Sequence, residues 1–203
     1  SVCDETGDDC GAQREGVGHV FTDPDDLVCQ LCGAVLDADA ALVYGVVNNH
    51  NVTRGDTFTL SVLMRNNPGL AGWKVSTAFD ESALELISHT RGEAFDDSSK
   101  FSFSNIADQS PISGMWVDFL RHEDCYNNGV LYTLTFRVKD AAAFGASALT
   151  IYCDDPDNMC NIDFETVYFT YVSAGVSILD HTHVYDNACD AVCDECDYTR
   201  SVP

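Results

Sequence analysis

Residues 54–88 read RGDTFTLSVLMRNNPGLAGWKVSTAFDESALELIS and contain strand patterns joined by turn-forming residues. In residues 57–64, apolar and polar side chains alternate with a period of two, as in a half-buried strand. Residues 72–79 repeat the alternation, and the side chains predicted to face the core there are Trp73, Val75, Thr77 and Phe79. The Asn-Asn-Pro-Gly sequence at residues 66–69 favours a turn between them. This stretch therefore predicts antiparallel β structure.

The chain on both sides of this stretch has the same character. Further strand candidates are residues 42–47, 84–88, 100–105, 113–120, 131–138, 148–153 and 167–178. Nine strands with polar turns and no alternating helices predict an all-β antiparallel sandwich, with one short helix around Asp140–Phe144. We expect the sandwich to occupy residues 37–179, between small irregular Cys/His-rich segments at residues 1–36 and 180–203.

The charge and the motif content exclude several functional classes. The 203-residue chain has a net charge of -23, which argues against binding to nucleic acid phosphates or to an anionic membrane surface. With 33 acidic residues, neighbouring carboxylates arise by chance and do not indicate a glycosidase. The sequence has neither a strand-borne serine elbow nor a glycine-rich phosphate loop. We therefore predict that the protein is not an enzyme.

Three phrases, in order, resemble one known family. They are residues 54–88, residues 127–145 (NNGVLYTLTFRVKDAAAFG) and residues 174–178 (AGVSI), and they resemble the opening, middle and final strands of a cohesin module. The resemblance implies a nine-stranded jelly-roll sandwich that binds a calcium-loaded dockerin without catalysis, in an extracellular scaffold or at a bacterial cell surface. It further implies that the calcium belongs to the dockerin rather than to this chain, and that polysaccharide is contacted only indirectly.

The resemblance also nominates a binding face. The family binds through one flat sheet face built from its third, fifth, sixth and eighth strands, which correspond here to residues 72–80, 100–106, 113–120 and 148–154. For the third of these segments we predict that Trp116 and Asp118 point outward, because Met115, Val117 and Phe119 make the more apolar core set. Lys74 departs from the family pattern, in which a small polar or acidic residue is frequent. The predicted partner-binding residues are Lys74, Ser76, Ala78, Ser102, Ser104, Trp116, Asp118, Thr150 and Tyr152.

Two other functions are compatible with a β-sandwich of this kind. A carbohydrate-binding sandwich would stack sugars on exposed aromatic rings, but only Trp73 and Trp116 are available and Trp73 is expected in the core. A structural spacer of a surface adhesin would need no ligand.

The two ends of the chain carry related cysteine-rich phrases. Seven of the ten cysteines lie in residues 1–36 and 179–203, and residues 3–14 align without a gap to residues 189–200. Two cysteines separated by two residues can bind one tetrahedral Zn2+ on a tight turn, although disulfides, which suit an exported protein, and free thiols are the alternatives. The predicted structural zinc ligands are Cys3, Cys10, Cys29 and Cys32 with His19 as a competing ligand, and His183, Cys189, Cys193 and Cys196. This partial repeat predicts that the chain is a piece of a longer protein in which such segments alternate with sandwiches.

The acidic loop between Cys153 and Cys160 leaves three interpretations open. The two cysteines could form a disulfide if their Cα atoms come within about 7 Å. The intervening Asp and Asn side chains could bind calcium, but their spacing does not match the twelve-residue calcium loop. A plain acidic turn is the interpretation that the sequence favours.

Overall fold

The computed structural model describes residues 19–95, 100–104, 109–120 and 122–180. This part of the chain contains eleven strands: β1 (Leu42–Val47), β2 (Asn51–Thr53), β3 (Thr57–Arg65), β4 (Gly72–Phe79), β5 (Leu84–Arg91), β6 (Phe101–Ser104), β7 (Ile112–Val117), β8 (Gly129–Val138), β9 (Gly145–Tyr152), β10 (Thr170–Val172) and β11 (Ala174–Leu179). A single turn of 3-10 helix spans Pro156–Asn158. None of the described residues form a helix with the length and apolarity needed to cross a membrane.

The strands form two sheets that pack face to face. One sheet has five strands in the order β10-β1-β3-β8-β5, and the other has six in the order β2-β11-β9-β4-β7-β6. All pairs are antiparallel except β1 with β10 and β11 with β2. The predicted all-β sandwich is therefore confirmed.

The predicted count of nine strands is wrong, because the described residues contain eleven. Strand β2 has only three residues, too few for its alternation to stand out. The single strand predicted for residues 167–178 is divided into β10 and β11, which lie in different sheets. The helix predicted around Asp140–Phe144 is a turn after β8, in which the backbone N–H of Ala142 donates to the carbonyl of Lys139.

The main core lies between the sheets and follows the predicted alternation. Trp73, Val75 and Thr77 of β4 are at most 1% exposed and face the five-stranded sheet, as expected. The rings of Phe58 and Phe136 stack with their centroids 5.5 Å apart. Burying large apolar side chains of this kind stabilises the fold by about 1.5–3 kcal/mol each.

A second apolar cluster covers the outer side of the five-stranded sheet around β1. Phe21 and Cys29, from the predicted terminal segment 1–36, are 0% and 2% exposed and pack there. Their neighbours are Leu42, Tyr44, Val46, Leu63 and Val172. The Tyr44 hydroxyl also donates a hydrogen bond of 2.9 Å to the carbonyl of Pro24. The region of the five-stranded sheet around β1 is thus covered on both sides.

Candidate functional site

The outer side of the six-stranded sheet presents two rows of side chains across the strands that the family resemblance selects. The pairing of β6, β7, β4 and β9 aligns Ser104, Ser113, Ser76 and Tyr152 in one row. The adjacent row contains Ser102, Met115 and Lys74, and Val117 lies one step further along β7. We call the outer side of these four strands the interaction face. It combines small hydroxyl groups with a short apolar stripe on β7.

Seven of the nine predicted partner-binding residues lie on this face. Six of them are half-buried or exposed, namely Lys74, Ala78, Ser102, Ser104, Thr150 and Tyr152. The seventh, Ser76, is only 2% exposed, and its hydroxyl forms a 2.8 Å hydrogen bond with that of Ser113. Ser76 therefore links β4 to β7 rather than offering a free hydroxyl to a partner.

The predicted orientation of Trp116 and Asp118 is wrong, because both are buried. Trp116 is 1% exposed and its ring lies 4.6 Å from that of Phe95. Asp118 is 6% exposed, and its carboxylate accepts a hydrogen bond from the Lys100 ammonium at 2.6 Å. Strand β7 therefore turns its other side outward, with Met115 half-buried and Val117 37% exposed on the interaction face.

This orientation of β7 depends on a contact with the opposite sheet. Gly114 faces inward, and a Cβ built on it would lie 2.6 Å from Cδ1 of Tyr132. The fully buried Tyr132 ring occupies that space, and its hydroxyl is hydrogen-bonded to the Thr77 hydroxyl at 2.9 Å. Alternation of hydrophobic residues favoured the opposite orientation because a glycine adds nothing to an apolar pattern.

An ion pair flanks the apolar stripe. The Lys74 ammonium donates to Asp154 at 2.8 Å, with 27% of the Lys74 side chain and 47% of the Asp154 side chain exposed. The hydrogen bond from Lys74 holds the pKa of the Asp154 carboxyl below its usual value. Because both groups are partly solvated, the pair contributes little stability. It does offer a partner one charge of each sign beside Met115.

An aromatic pair that the sequence analysis did not predict extends the apolar part of this face. The rings of Phe119 and Phe164 stack with their centroids 4.8 Å apart, and the two residues are 40% and 71% exposed. Phe119 lies next to Gly72, which is the cross-strand neighbour of Val117. Nothing in the local sequence links Phe164 to this position, since strands β8 and β9 lie between Phe119 and Phe164 in the chain.

A shallow depression marks the other end of the interaction face. It has a volume of about 330 Å³ and lies between β4 and β9, where Ala78, Ala146, Ala148 and Thr150 contribute to its lining. Small side chains there leave the surface open to a protruding group from a partner.

The predicted metal ligands are partly brought together. Within the described residues, His19, Cys29 and Cys32 form the one group of three or more His, Cys, Asp or Glu whose ligand atoms lie within 4.8 Å of one another. Burial raises the pKa of the Cys29 thiol, but hydrogen bonds outweigh this effect and lower the pKa to about 7. The donors are the backbone N–H groups of Val20, Cys32 and Leu31 and the His19 ring. The other predicted ligands, Cys3, Cys10, His183, Cys189, Cys193 and Cys196, lie outside the described residues.

The loop between Cys153 and Cys160 is an acidic turn. Both cysteines carry free thiols, and the Cys153 thiol donates to the carbonyl of Asp155 at 3.0 Å. Asp155 caps the 3-10 turn by accepting from the backbone N–H of Asp157. Asp157 in turn accepts from the Thr166 hydroxyl at 2.7 Å.

Comparison with known proteins assigns the chain to a family. The model of the cohesin domain matches residues 45–157, more than half of the chain. Cellulose-binding protein A of Clostridium cellulovorans is 30% identical over 98 residues, which cover 48% of this chain and 5% of that protein. The chain therefore spans only a small part of that relative.

Solved structures share the fold at low sequence identity. The seventh ScaB type I cohesin of Pseudobacteroides cellulosolvens has a TM-score of 0.56 at 19% identity, covering 72% of this chain and 97% of that one. A non-cellulosomal cohesin of Archaeoglobus fulgidus has a TM-score of 0.55 at 16% identity, covering 70% and 92%. A cohesin in a type I cohesin–dockerin complex of Clostridium thermocellum has a TM-score of 0.56 at 19% identity, covering 71% and 98%. Together with the family match, the two-sheet architecture and the strand order, these comparisons establish that the chain belongs to the cohesin family.

Proposed function

We propose that this chain is a non-catalytic binding module that captures a calcium-loaded dockerin on the interaction face. The observation that carries the proposal is the apolar stripe of Met115 and Val117, set on regular strands among the hydroxyls of Ser102, Ser104 and Thr150. Apolar contacts surrounded by small polar groups are the usual composition of a specific protein interface.

The two sheets differ in a way that supports this choice of face. On the outer side of the five-stranded sheet, Phe21 and Cys29 cover the region of β1, so a partner could reach that region only by displacing buried side chains. On the six-stranded sheet, Val117 and Ser102 are exposed. A pre-formed sheet face loses little conformational entropy on binding, which favours affinity.

The family and its relatives support the nature of the partner and the location. Several relatives of similar fold are cohesins in complex with dockerins, and the curated relative is a cellulose-binding protein. We infer from them that the partner is a dockerin-bearing protein, that calcium resides on the dockerin, and that this module works outside the cell or at the bacterial cell surface. Contact with polysaccharide would then be indirect.

Measuring dockerin binding by two matched variants tests the proposal. Val117→Asp places a charge in the centre of the apolar stripe, while Ile87→Asp places the same charge on β5 of the other sheet, where the side chain is 50% exposed. Against a panel of dockerins with calcium, we expect at least one to bind the wild type and the Ile87→Asp variant equally, and the Val117→Asp variant at least tenfold more weakly. Titration calorimetry gives the affinities, and urea unfolding verifies that both variants are folded.

The same experiment separates the alternatives. Equal binding by Val117→Asp and wild type would refute the face assignment. Retention on polysaccharide without dockerin capture would favour a carbohydrate-binding sandwich, although Trp73 and Trp116 are both 1% exposed and offer sugars no stacking surface. Failure to bind either ligand would favour a structural spacer.

A further inference from the structure

Residues 27–36 form a short hairpin whose tip has the shape of a metal-binding turn. Val28 and Val35 are bridged in antiparallel fashion, and the N–H of Cys29 donates to the carbonyl of Ala34 at 2.8 Å. At the tip, the N–H of Gly33 donates back to the carbonyl of Cys29 at 2.9 Å. Gly33 has a φ of 71°, which glycine adopts at little cost, so the chain can reverse directly after the second cysteine.

The turn brings the two cysteine sulfurs to one side, and a histidine from another segment completes the group. The His19 Nδ1 atom lies 3.5 Å from the Cys32 sulfur, and the three ligand atoms lie within 4.8 Å of one another. Tetrahedral zinc with Zn–S near 2.3 Å and Zn–N near 2.0–2.1 Å requires an S···N separation of about 3.5 Å and an S···S separation of about 3.8 Å. The arrangement needs only a small adjustment to hold one ion.

The three ligands differ in burial: Cys29 is held inside the protein, whereas Cys32 and His19 can be reached from solvent. Cys29 is 2% exposed and its sulfur accepts a hydrogen bond from the N–H of Val20 at 3.3 Å, as metal-bound thiolates commonly do. Cys32 is exposed and His19 is half-buried, so an ion can enter from solvent. The backbone of His19 forms a bridge with Ala174 of β11, which fixes this ligand to the sandwich.

We propose that His19, Cys29 and Cys32 bind one Zn2+ that clamps the hairpin onto the sandwich. Two sulfurs and one imidazole nitrogen are the donors that zinc prefers, whereas calcium and magnesium take oxygen ligands. The clamp would hold the hairpin, and with it Phe21, over the outer side of the five-stranded sheet. A tetrahedral ion would have one further coordination position, open to water or to another ligand.

The zinc content of the whole chain and of single variants tests this site. The protein is purified with zinc, freed of loosely bound metal by gel filtration, and analysed by mass spectrometry for zinc per chain. The variant Cys32→Ser changes an exposed residue, and the control Cys153→Ser changes a half-buried free thiol in a distant loop. We expect Cys32→Ser and His19→Ala to lose about one zinc per chain relative to wild type, and Cys153→Ser to lose none.

Cobalt substitution and thiol mapping report the metal ligands directly, so they test the site even if a variant folds less stably. Co2+ in the wild type should give thiolate-to-cobalt charge-transfer bands and the strong visible bands of a tetrahedral site, and the difference spectrum against Cys32→Ser should contain both. Unchanged zinc content in Cys32→Ser, or no cobalt difference spectrum, would overturn the proposal. So would recovery of a peptide with Cys29 and Cys32 joined by a disulfide from protein digested without reductant.

Discussion

Replacing Gly114 by alanine should destabilise the protein because the new methyl group would collide with Tyr132. The methyl carbon would lie 2.6 Å from Cδ1 and 2.9 Å from Cε1 of that ring. Ordinary carbon–carbon contacts are about 3.5–4.0 Å, so the ring would have to retreat by about 1 Å. It cannot do so freely, because the Tyr132 side chain is fully buried and its hydroxyl is hydrogen-bonded to Thr77 and to the carbonyl of Val75.

The expected cost follows from three contributions. Overpacking a buried site costs about 1–3 kcal/mol, and straining the hydroxyl contacts adds about 1 kcal/mol. Alanine recovers about 0.5–1 kcal/mol relative to glycine within a strand. The free energy of unfolding should therefore fall by about 1–3.5 kcal/mol. With an m-value of about 2 kcal/mol/M, the urea midpoint falls by roughly 1 M.

Gly72→Ala is the matched control, since Gly72 lies in the same pair of strands, β4 and β7. A methyl group there would meet Phe119 at 3.5 Å and the Cys160 sulfur at 3.6 Å, which are ordinary contacts. We expect its free energy of unfolding to stay unchanged or to rise by up to about 1 kcal/mol. The fluorescence of Trp73 and Trp116, both buried, reports the urea unfolding of all variants.

A double-mutant cycle identifies the collision as the cause. In a Tyr132→Leu background the ring is absent, so Gly114→Ala should cost at least 1 kcal/mol less than it does in the wild type. The reasoning would be refuted if Gly114→Ala unfolded at the wild-type urea concentration, or if its cost were the same in both backgrounds. It would equally be refuted if Gly72→Ala were destabilised as much as Gly114→Ala.

Three further changes have defined outcomes in urea unfolding. Tyr132→Phe should lower the free energy of unfolding by about 1–3 kcal/mol, because the buried Thr77 hydroxyl loses the partner it has in the wild type. Asp80→Ala should destabilise the protein at pH 6 but not near pH 2. Hydrogen bonds from Ser82 hold the pKa of the Asp80 carboxyl below its usual value. The stabilisation is therefore present above the unfolded pKa of about 3.9 and is lost as the pH falls through the folded pKa. A constant difference between the two pH values would contradict that explanation. Lys74→Ala should change the free energy of unfolding by less than about 1 kcal/mol, because its ion pair is partly solvated; a larger loss would indicate a structural role for Lys74.

The parts of the fold that the sequence predicted are those in which the local pattern carries the information. Strand β4 places Trp73, Val75 and Phe79 at alternating positions, so its inward side was evident and the structure bears it out. In β7 the inward side contains Gly114, whose small size matters only because Tyr132 arrives from the other sheet. A contact between residues far apart in the chain leaves no trace in the local alternation. The orientation of Trp116 and Asp118 was accordingly predicted wrongly.

The covering of the five-stranded sheet was only partly visible in the sequence. Strand β1 reads LVYGVV with every residue buried, and such a continuous apolar run is typical of a strand covered on both sides. The sequence does not reveal that Phe21 supplies part of the cover. Likewise, the spacing of Cys29 and Cys32 predicted a shared metal turn, whereas the approach of His19 depends on its bridge to Ala174, a long-range contact.

Because the cover and the interaction face lie on opposite sides of the sandwich, the two proposals can fail separately. Cys29 packs against the outer side of the five-stranded sheet, and Val117 lies on the outer side of the six-stranded sheet. Cys32→Ser should therefore lower zinc content and the melting temperature while leaving dockerin affinity within about twofold of wild type, since distant sites contribute independently. Val117→Asp should do the reverse, retaining zinc and losing dockerin. If Cys32→Ser lost both zinc and dockerin binding while remaining folded, the hairpin would have to influence the interaction face through the core. The assignment of a covered side to one sheet and a binding side to the other would then be wrong.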